Sequence, residues 1–296
     1  SPHVLCAMVE KITGQKMLAY LKDKLLRQIG FSEESYIIED PFGTSMAGSG
    51  LMATPRDLLL TGCMLLKHRT DPYITRATNA QTSTLLDGEN RWYGYQFWIP
   101  MEGMFAMMGL GSQLMIAVPA MKLVVVITAD TQGMGGADQL ILTAVREKLL
   151  LDTFTEETLD RKELPVLKPV YVGIHDDVSG RKYALRLNHY GFGWCSVTFD
   201  EEEKTGILSY ELKGKVCQLP FGIGHLEEGS FPIYKESCVA SAAWMDPHTL
   251  YILCWLTGES VASIRFRISF AKNELTVHMM KTEETKYNEY TGFLNS

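Results

Sequence analysis

The feature that most constrains this chain is the monotony of its second half. Beyond residue 181, "KYALRLN", "WCSVTF", "ILSYELKG", "KVCQLPFG", "SCVASAAW", "TLYILCWL", "SIRFRISF" and "LTVHMM" succeed one another as short runs rich in β-branched and aromatic residues. Turn-forming stretches such as "DPHT" and "AKNE" separate them. Short strands with a turn roughly every ten residues bury their apolar faces as a sandwich or a barrel. Closure into a barrel also hides the unpaired edges that an open sheet leaves exposed.

The first half has a different period. Val4, Leu5, Met8, Val9 and Ile12 recur at helical spacing, and Gly14 follows as a stop. Met17, Leu18, Leu21, Leu25 and Ile29 form a second stripe that ends at Gly30. Thr54-Pro55-Arg56-Asp57 predicts a third helix, with Thr54 as N-cap, Pro55 at the first helical position and an acid at the third. Three strands are then expected in "RWYGYQFWIP", "MFAMMGLGSQLMIAVP" and "KLVVVITAD", followed by an amphipathic helix in "GADQLILTAVREKLLL". The third strand is nearly all apolar, which predicts cover on both faces. The methionines gathered around residues 101 to 115 read as adaptable core filling.

The expected fold class is therefore α+β: helices on an antiparallel sheet, plus an all-β barrel as a second domain. The charged, proline-containing stretch "DTFTEETLDRKELPVLKP" marks the boundary and predicts domains at 1–153 and 154–296. A chain of 296 residues fits two domains at roughly 150 residues each.

A net charge of −7 and a densest charge run, "DEEEKTG", that is acidic argue against a nucleic-acid partner. That run reads as a solvated turn. Six cysteines are scattered without a C-x-x-C pair or a histidine at ligand spacing, so neither a metal nor a cofactor is implied, and most should be buried as small hydrophobes. No apolar run reaches the roughly 20 residues that span a bilayer. The compartment is left open.

In order and spacing, "HVLCAMVEKITGQ", "LKDKLLRQIGF", "GTSMAGSGLMATPRDLLLTGCMLL", "YGYQFW" and "MMGLGSQLMIAVPAMKLVVVITAD" resemble the later part of the class C β-lactamase-like serine hydrolases, which include penicillin-binding peptidases, esterases and amide hydrolases. The resemblance covers about residues 2 to 150. It implies acyl transfer by a Ser-x-x-Lys pair, a Tyr element and a third element on a sheet strand. The first two would lie before Ser1, so no catalytic residue is expected in this chain. The resemblance implies a truncated piece of a parent acting on a small ester, amide or peptide substrate. The third element aligns with Gly109, Leu110, Gly111, Ser112 and Gln113, where an amide could serve an oxyanion. The second half is similar, more loosely, to the lipocalin-like barrels appended to some of these hydrolases.

Two strings imitate the catalytic motifs. Ser179-Gly180-Arg181-Lys182 has the Ser-x-x-Lys spacing but feeds a strand, whereas the chemistry needs both side chains one turn apart on a helix. Lys204-Thr205-Gly206 matches Lys-Thr-Gly within the same barrel half. Both are expected to be structural, as is the "GTSMAG" loop at 43 to 48. The leading expectation is thus a portion of a serine hydrolase, inactive by itself. The alternative is a non-enzymatic ligand-binding or structural module built on a degenerate hydrolase half and a barrel. A sheet without early strands also predicts dimerisation through an exposed edge, or pairing with an N-terminal partner segment.

Overall fold

The structure is a computed structural model, and it describes residues 2–84, 92–131, 134–149, 164–171, 178–188, 191–260, 262–281 and 290–295. The chain divides into two compact units, Ser1–Phe154 and Thr155–Ser296. The charged stretch read as their boundary lies mostly outside the described residues.

In the first unit, α1 (Pro2–Thr13) and α2 (Met17–Lys24) precede a 3₁₀ turn at Leu26–Ile29, which Gly30 closes at φ 80°. A two-stranded ribbon of β1 (Tyr36–Ile37) and β2 (Leu51–Met52) leads into α3 (Pro55–Lys67) and α4 (Pro72–Ala77). The capping box forms as its sequence predicts. The Asp57 amide donates to Thr54 Oγ1 at 3.2 Å, and the Thr54 amide donates to Asp57 Oδ2 at 2.9 Å. Asp57 is buried and accepts a further bond from the Ser32 amide at 2.8 Å, which ties the helix start to the preceding loop.

A six-stranded antiparallel sheet runs in sequence order: β3 (Thr82–Ser83), β4 (Trp92–Tyr93), β5 (Trp98–Ile99), β6 (Phe105–Gly109), β7 (Gln113–Val118) and β8 (Leu123–Ile127). Alternation along β7 gives the sheet two apolar faces. Leu114, Ile116 and Val118 pack in one cluster with Leu142 of α5 (Ala137–Ala144), while Met115 and Ala117 pack in another with Leu65 of α3. Helices therefore cover both sides. A Cβ on Gly62 of α3 would stand 2.6 Å from Val124 Cγ1 and 2.9 Å from Met115 Sδ, so glycine sets how closely this helix lies on the strands. Met104 and Met115 are buried in these clusters, as core filling requires.

Two strand expectations are corrected. The stretch "MFAMMGLGSQLMIAVP" is a hairpin, with the chain reversing at Leu110–Ser112 and Gly109 paired with Gln113. "RWYGYQFWIP" also folds back, with β4 paired to β5. β8 ends the sheet and is covered on both faces as expected, Leu123, Val125 and Ile127 packing in the cluster with Leu142 and Val124 and Val126 in that with Leu65, each half-buried. A run of apolar residues marks burial but not where a strand turns. On α1 the buried residue is Cys6, whereas Val4, Leu5, Met8 and Ile12 are exposed. Polar bonds fix this rotation: Glu10 accepts from the Met17 amide at 2.9 Å and from Ser45 Oγ at 2.5 Å.

The second unit is a ten-stranded, nearly closed and mostly antiparallel barrel. Its strands are β9 (Lys182–Leu185), β10 (Phe192–Asp200), β11 (Thr205–Leu212), β12 (Lys215–Ile223), β13 (Glu227–Phe231), β14 (Glu236–Asp246), β15 (Thr249–Leu256), β16 (Ser263–Ala271), β17 (Glu274–Lys281) and β18 (Tyr290–Asn295). Sequence neighbours pair antiparallel except β12 and β13, β18 returns to β9, and the parallel pairing of β12 with β14 through Gly222↔Ser241 and Ile223↔Ala242 bridges the gap. β13, Glu-Glu-Gly-Ser-Phe, carries a single large apolar residue and gave no strand signal. Outside the wall, the Leu167 amide donates to Ser241 Oγ, and the Val170 and Tyr171 amides donate to the Trp244 carbonyl.

The two motif imitations take structural roles in this barrel. Ser179 Oγ accepts from the Phe199 amide at 3.1 Å, and Lys182 Nζ lies 3.8 Å from the Trp194 ring centroid. Lys204 holds a turn at φ 53°. Gly206 admits the Phe221 ring, which a Cβ there would meet at 2.4 Å. The acidic run at 200 to 203 is a turn whose Glu202 and Glu203 amides donate to Asp200 Oδ1.

Candidate functional site

A strand places alternate side chains on opposite faces, so pairing register decides which residues share a level inside a barrel. Tyr183 pairs with Cys195, Cys195 with Tyr210, and Tyr210 with Cys217. These four residues form one rung across β9 to β12, and Tyr183, Cys195 and Tyr210 are buried in the barrel core. Cys238 and Cys254 lie on the inner faces of β14 and β15. Apart from the Trp244 indole the rest of that core is apolar: Val197, Leu208, Leu219, Phe221, Phe231, Leu250, Ile252, Ile264, Phe266, Ile268 and Phe270 are among its members.

The rung holds two buried phenols. Tyr183 and Tyr210 are 3% and 4% exposed, and neither phenolic oxygen has a hydrogen-bond partner. Their rings are fixed from the side, Tyr183 with its centroid 6.2 Å from that of Phe270, and Tyr210 5.7 Å from that of Phe192. A buried hydroxyl that makes no bond forfeits its hydration for nothing, so two on one rung call for an explanation. Burial pushes the Cys195 thiol up to about 12 and raises the Tyr210 phenol well above its ordinary range. The Cys254 thiol hydrogen-bonds to Cys238, which lowers Cys238 and, with burial, raises Cys254. The wall is least bulky along β14, where Cys238, Ala240 and Ala242 line the inside.

The stretch Gly109, Leu110, Gly111, Ser112 and Gln113, read from sequence as the oxyanion strand, is instead the tip of the β6–β7 hairpin. Gly111 and Ser112 both turn through positive φ, at 72° and 64°. Ser112 is buried and its hydroxyl donates to Asp138 Oδ1 at 2.6 Å and meets Thr131 Oγ1 at 2.6 Å. Gln113 Nε2 donates to the carbonyls of Gly111 and Ala129. Gly109 sits where a Cβ would stand 3.2 Å from that of Gln113. Leu110 is exposed at the tip. The polar side chains of this turn are thus committed to holding it. Among the described residues, no group of three or more His, Cys, Asp or Glu is disposed to hold a metal ion, and no helix is long and apolar enough to cross a membrane.

No protein-family model and no curated protein matches the chain. Among solved structures it is similar to a fatty-acid-binding protein from brain tissue of Drosophila melanogaster, at 12% identity over 40% of this chain and 99% of that one, with a TM-score of 0.32. A fatty-acid-binding protein from Manduca sexta is 10% identical over 40% and 99% of the two chains, with a TM-score of 0.30. Lipid binding protein 8 of Caenorhabditis elegans in its apo form is 10% identical over 42% and 99%, with a TM-score of 0.33. Likeness at this level carries no argument, and the pairing of the ten strands is what establishes the barrel. The tyrosine rung was missed in the sequence. Its trace there is a tyrosine at alternating phase in "KYAL" and "SYEL", with a cysteine at matching phase in "WCSV" and "KVCQ".

Proposed function

We propose that the second unit is a ligand-binding barrel that takes a small, predominantly apolar molecule into its interior and anchors it through the hydroxyls of Tyr183 and Tyr210. The observation that carries this reading is the pair of buried, unpartnered phenols on one rung of an otherwise apolar lining. Ligand sites in proteins combine such a lining with a few placed polar groups. Barrel diameter grows with strand number, and about eight strands already enclose an interior that side chains can just fill or that holds one small ligand. Ten strands with small residues along β14 favour the second use.

Titration of the full chain with Nile red, an uncharged lipophilic fluorophore, tests the reading. One saturable, blue-shifted site is expected, weakened in Tyr183→Phe/Tyr210→Phe and in Ala242→Leu, which narrows the inner wall. Absence of saturable binding, or binding indifferent to both variants, would overturn it.

A second reading concerns the first unit as the later part of an acyl-transfer serine hydrolase in which the Gly109–Gln113 turn supplies a backbone donor. It is favoured by an exposed Leu110 on a turn pinned through Ser112 and Gln113, since an oxyanion donor must be both reachable and fixed. A fluorophosphonate probe is expected to leave this chain unlabelled, because none of the described helices carries a serine with a lysine one turn on. Labelling would contradict that expectation.

A further inference from the structure

We infer that the molecule held in the barrel is uncharged, a hydrocarbon body bearing an ester, carbonyl or hydroxyl group, and that carboxylates are rejected. This inference rests on the ligand-binding reading above and names the class of ligand.

The argument is a census of charge on the inner wall. Along β16 the inward residues are Ile264, Phe266, Ile268 and Phe270, which puts Arg265 and Arg267 on the outer face between them. His278 pairs with Arg267 and so shares that outer face. Lys182 precedes the inward Tyr183 and is spent on the Trp194 ring. Lys215 shares the inner-face register of Leu212 and Cys217 but is exposed at the start of β12. β18, Tyr-Thr-Gly-Phe-Leu-Asn, contains no cationic residue at all. Among the described side chains, then, no lysine, arginine or histidine is buried on the inner wall.

The ionisable groups at inner-face register positions lie at strand ends and are of both signs, Lys215 opposite Leu212 beside two acids. Glu227 begins β13 opposite Ala240, and Glu236 begins β14 opposite Phe231. His225 Nε2 stands 3.5 Å from Glu227 Oε2, and Glu236 accepts from the amide and hydroxyl of Ser260 at 2.9 and 2.7 Å. A carboxylate moved into such an interior would lose its hydration without gaining a buried counter-charge. An ester or hydroxyl oxygen incurs no such loss. It needs neutral donors, and the two phenols and neighbouring thiols supply them.

Lys281 ends β17 at the register position opposite Ile264 and provides the control. Competition against Nile red on the full chain, at a pH where laurate is ionised, would compare dodecanol, methyl laurate, dodecane and laurate, four ligands of similar chain length. The alcohol and ester are expected to displace the probe at concentrations about tenfold below laurate and below dodecane, and that advantage over dodecane should vanish in Tyr183→Phe/Tyr210→Phe. Equal or tighter binding of laurate would overturn the inference while leaving the barrel as a binding site, most directly if Lys281→Met removed it. Equal binding of dodecane would remove the role of the phenols. Nile red binding with no displacement by any of the four would also overturn the inference, and failure of Nile red itself to bind would overturn the ligand-binding reading with it.

Discussion

Replacing Tyr183 and Tyr210 by phenylalanine should move stability and binding in opposite directions. Each substitution removes one oxygen and leaves the ring. A buried tyrosine hydroxyl that is hydrogen-bonded typically contributes about 1 kcal/mol, whereas one left unsatisfied costs about 1–3 kcal/mol. Both phenolic oxygens here are in the second class. The ligand-free double variant should therefore be more stable than the parent chain by about 1–3 kcal/mol after allowing for the small void each oxygen leaves. For a unit of this size that corresponds to a rise in Tm of roughly 2–4 °C per kcal/mol. Binding should weaken by about 1 kcal/mol per hydroxyl that donates to the ligand, which is about fivefold each. Urea unfolding followed by tryptophan fluorescence reads the first effect, because Trp194, Trp244 and Trp255 all lie on barrel strands. Ligand titration reads the second. A double variant destabilised by about 2 kcal/mol would show that the hydroxyls are already satisfied within the protein and would refute the reasoning.

Asp57→Ala should cost about 2–4 kcal/mol in the same urea assay, because it strips the cap from α3 and leaves the Ser32 and Thr54 amides without their acceptor. Burial alone would raise the Asp57 carboxyl, but the bonds from Ser32 and Thr54 outweigh it and hold the group below its usual range. Its folded value being depressed, the stabilisation is complete above the ordinary carboxylate range and is lost as pH falls through it. The difference in stability between the parent chain and Asp57→Ala should therefore shrink between about pH 5 and pH 2; a difference constant over that window would be inconsistent with a charged cap. Ser112→Ala should destabilise the first unit by about 1–3 kcal/mol through the loss of the bonds to Asp138 and Thr131, with no change in Nile red affinity. A change in ligand affinity without a change in stability would contradict the structural role assigned to this serine.

Local chemistry was fully legible where a few adjacent residues suffice. The Thr54–Asp57 cap, the Gly30 stop and the acidic turn at 200 to 203 each depend on contacts within a few positions, and each formed as written. The reading weakened where a run of apolar residues had to be divided. In "MFAMMGLGSQLMIAVP" the reversal at Leu110–Ser112 coincides with the break Gly109-Leu110-Gly111-Ser112-Gln113, a turn signal that reading the run as one strand passes over. The exposure of Val4, Leu5, Met8 and Ile12 shows the same limit on a helix. Periodicity predicts a stripe, while the bonds of Glu10 to Ser45 and Met17 decide which way it faces.

What the sequence alone determined is the division of the chain into a helix-and-sheet half and a many-stranded half, because strand alternation, caps and turn residues act over short stretches. Tertiary structure alone decided the inner wall of the barrel. Tyr183, Cys195, Tyr210 and Cys217 come from four strands, and only the pairing register brings them to one level. A shift of a single residue in that register would send each of these side chains to the opposite face. Whether the phenols meet a ligand or water is therefore fixed by the closing of the sheet and by nothing in any one segment.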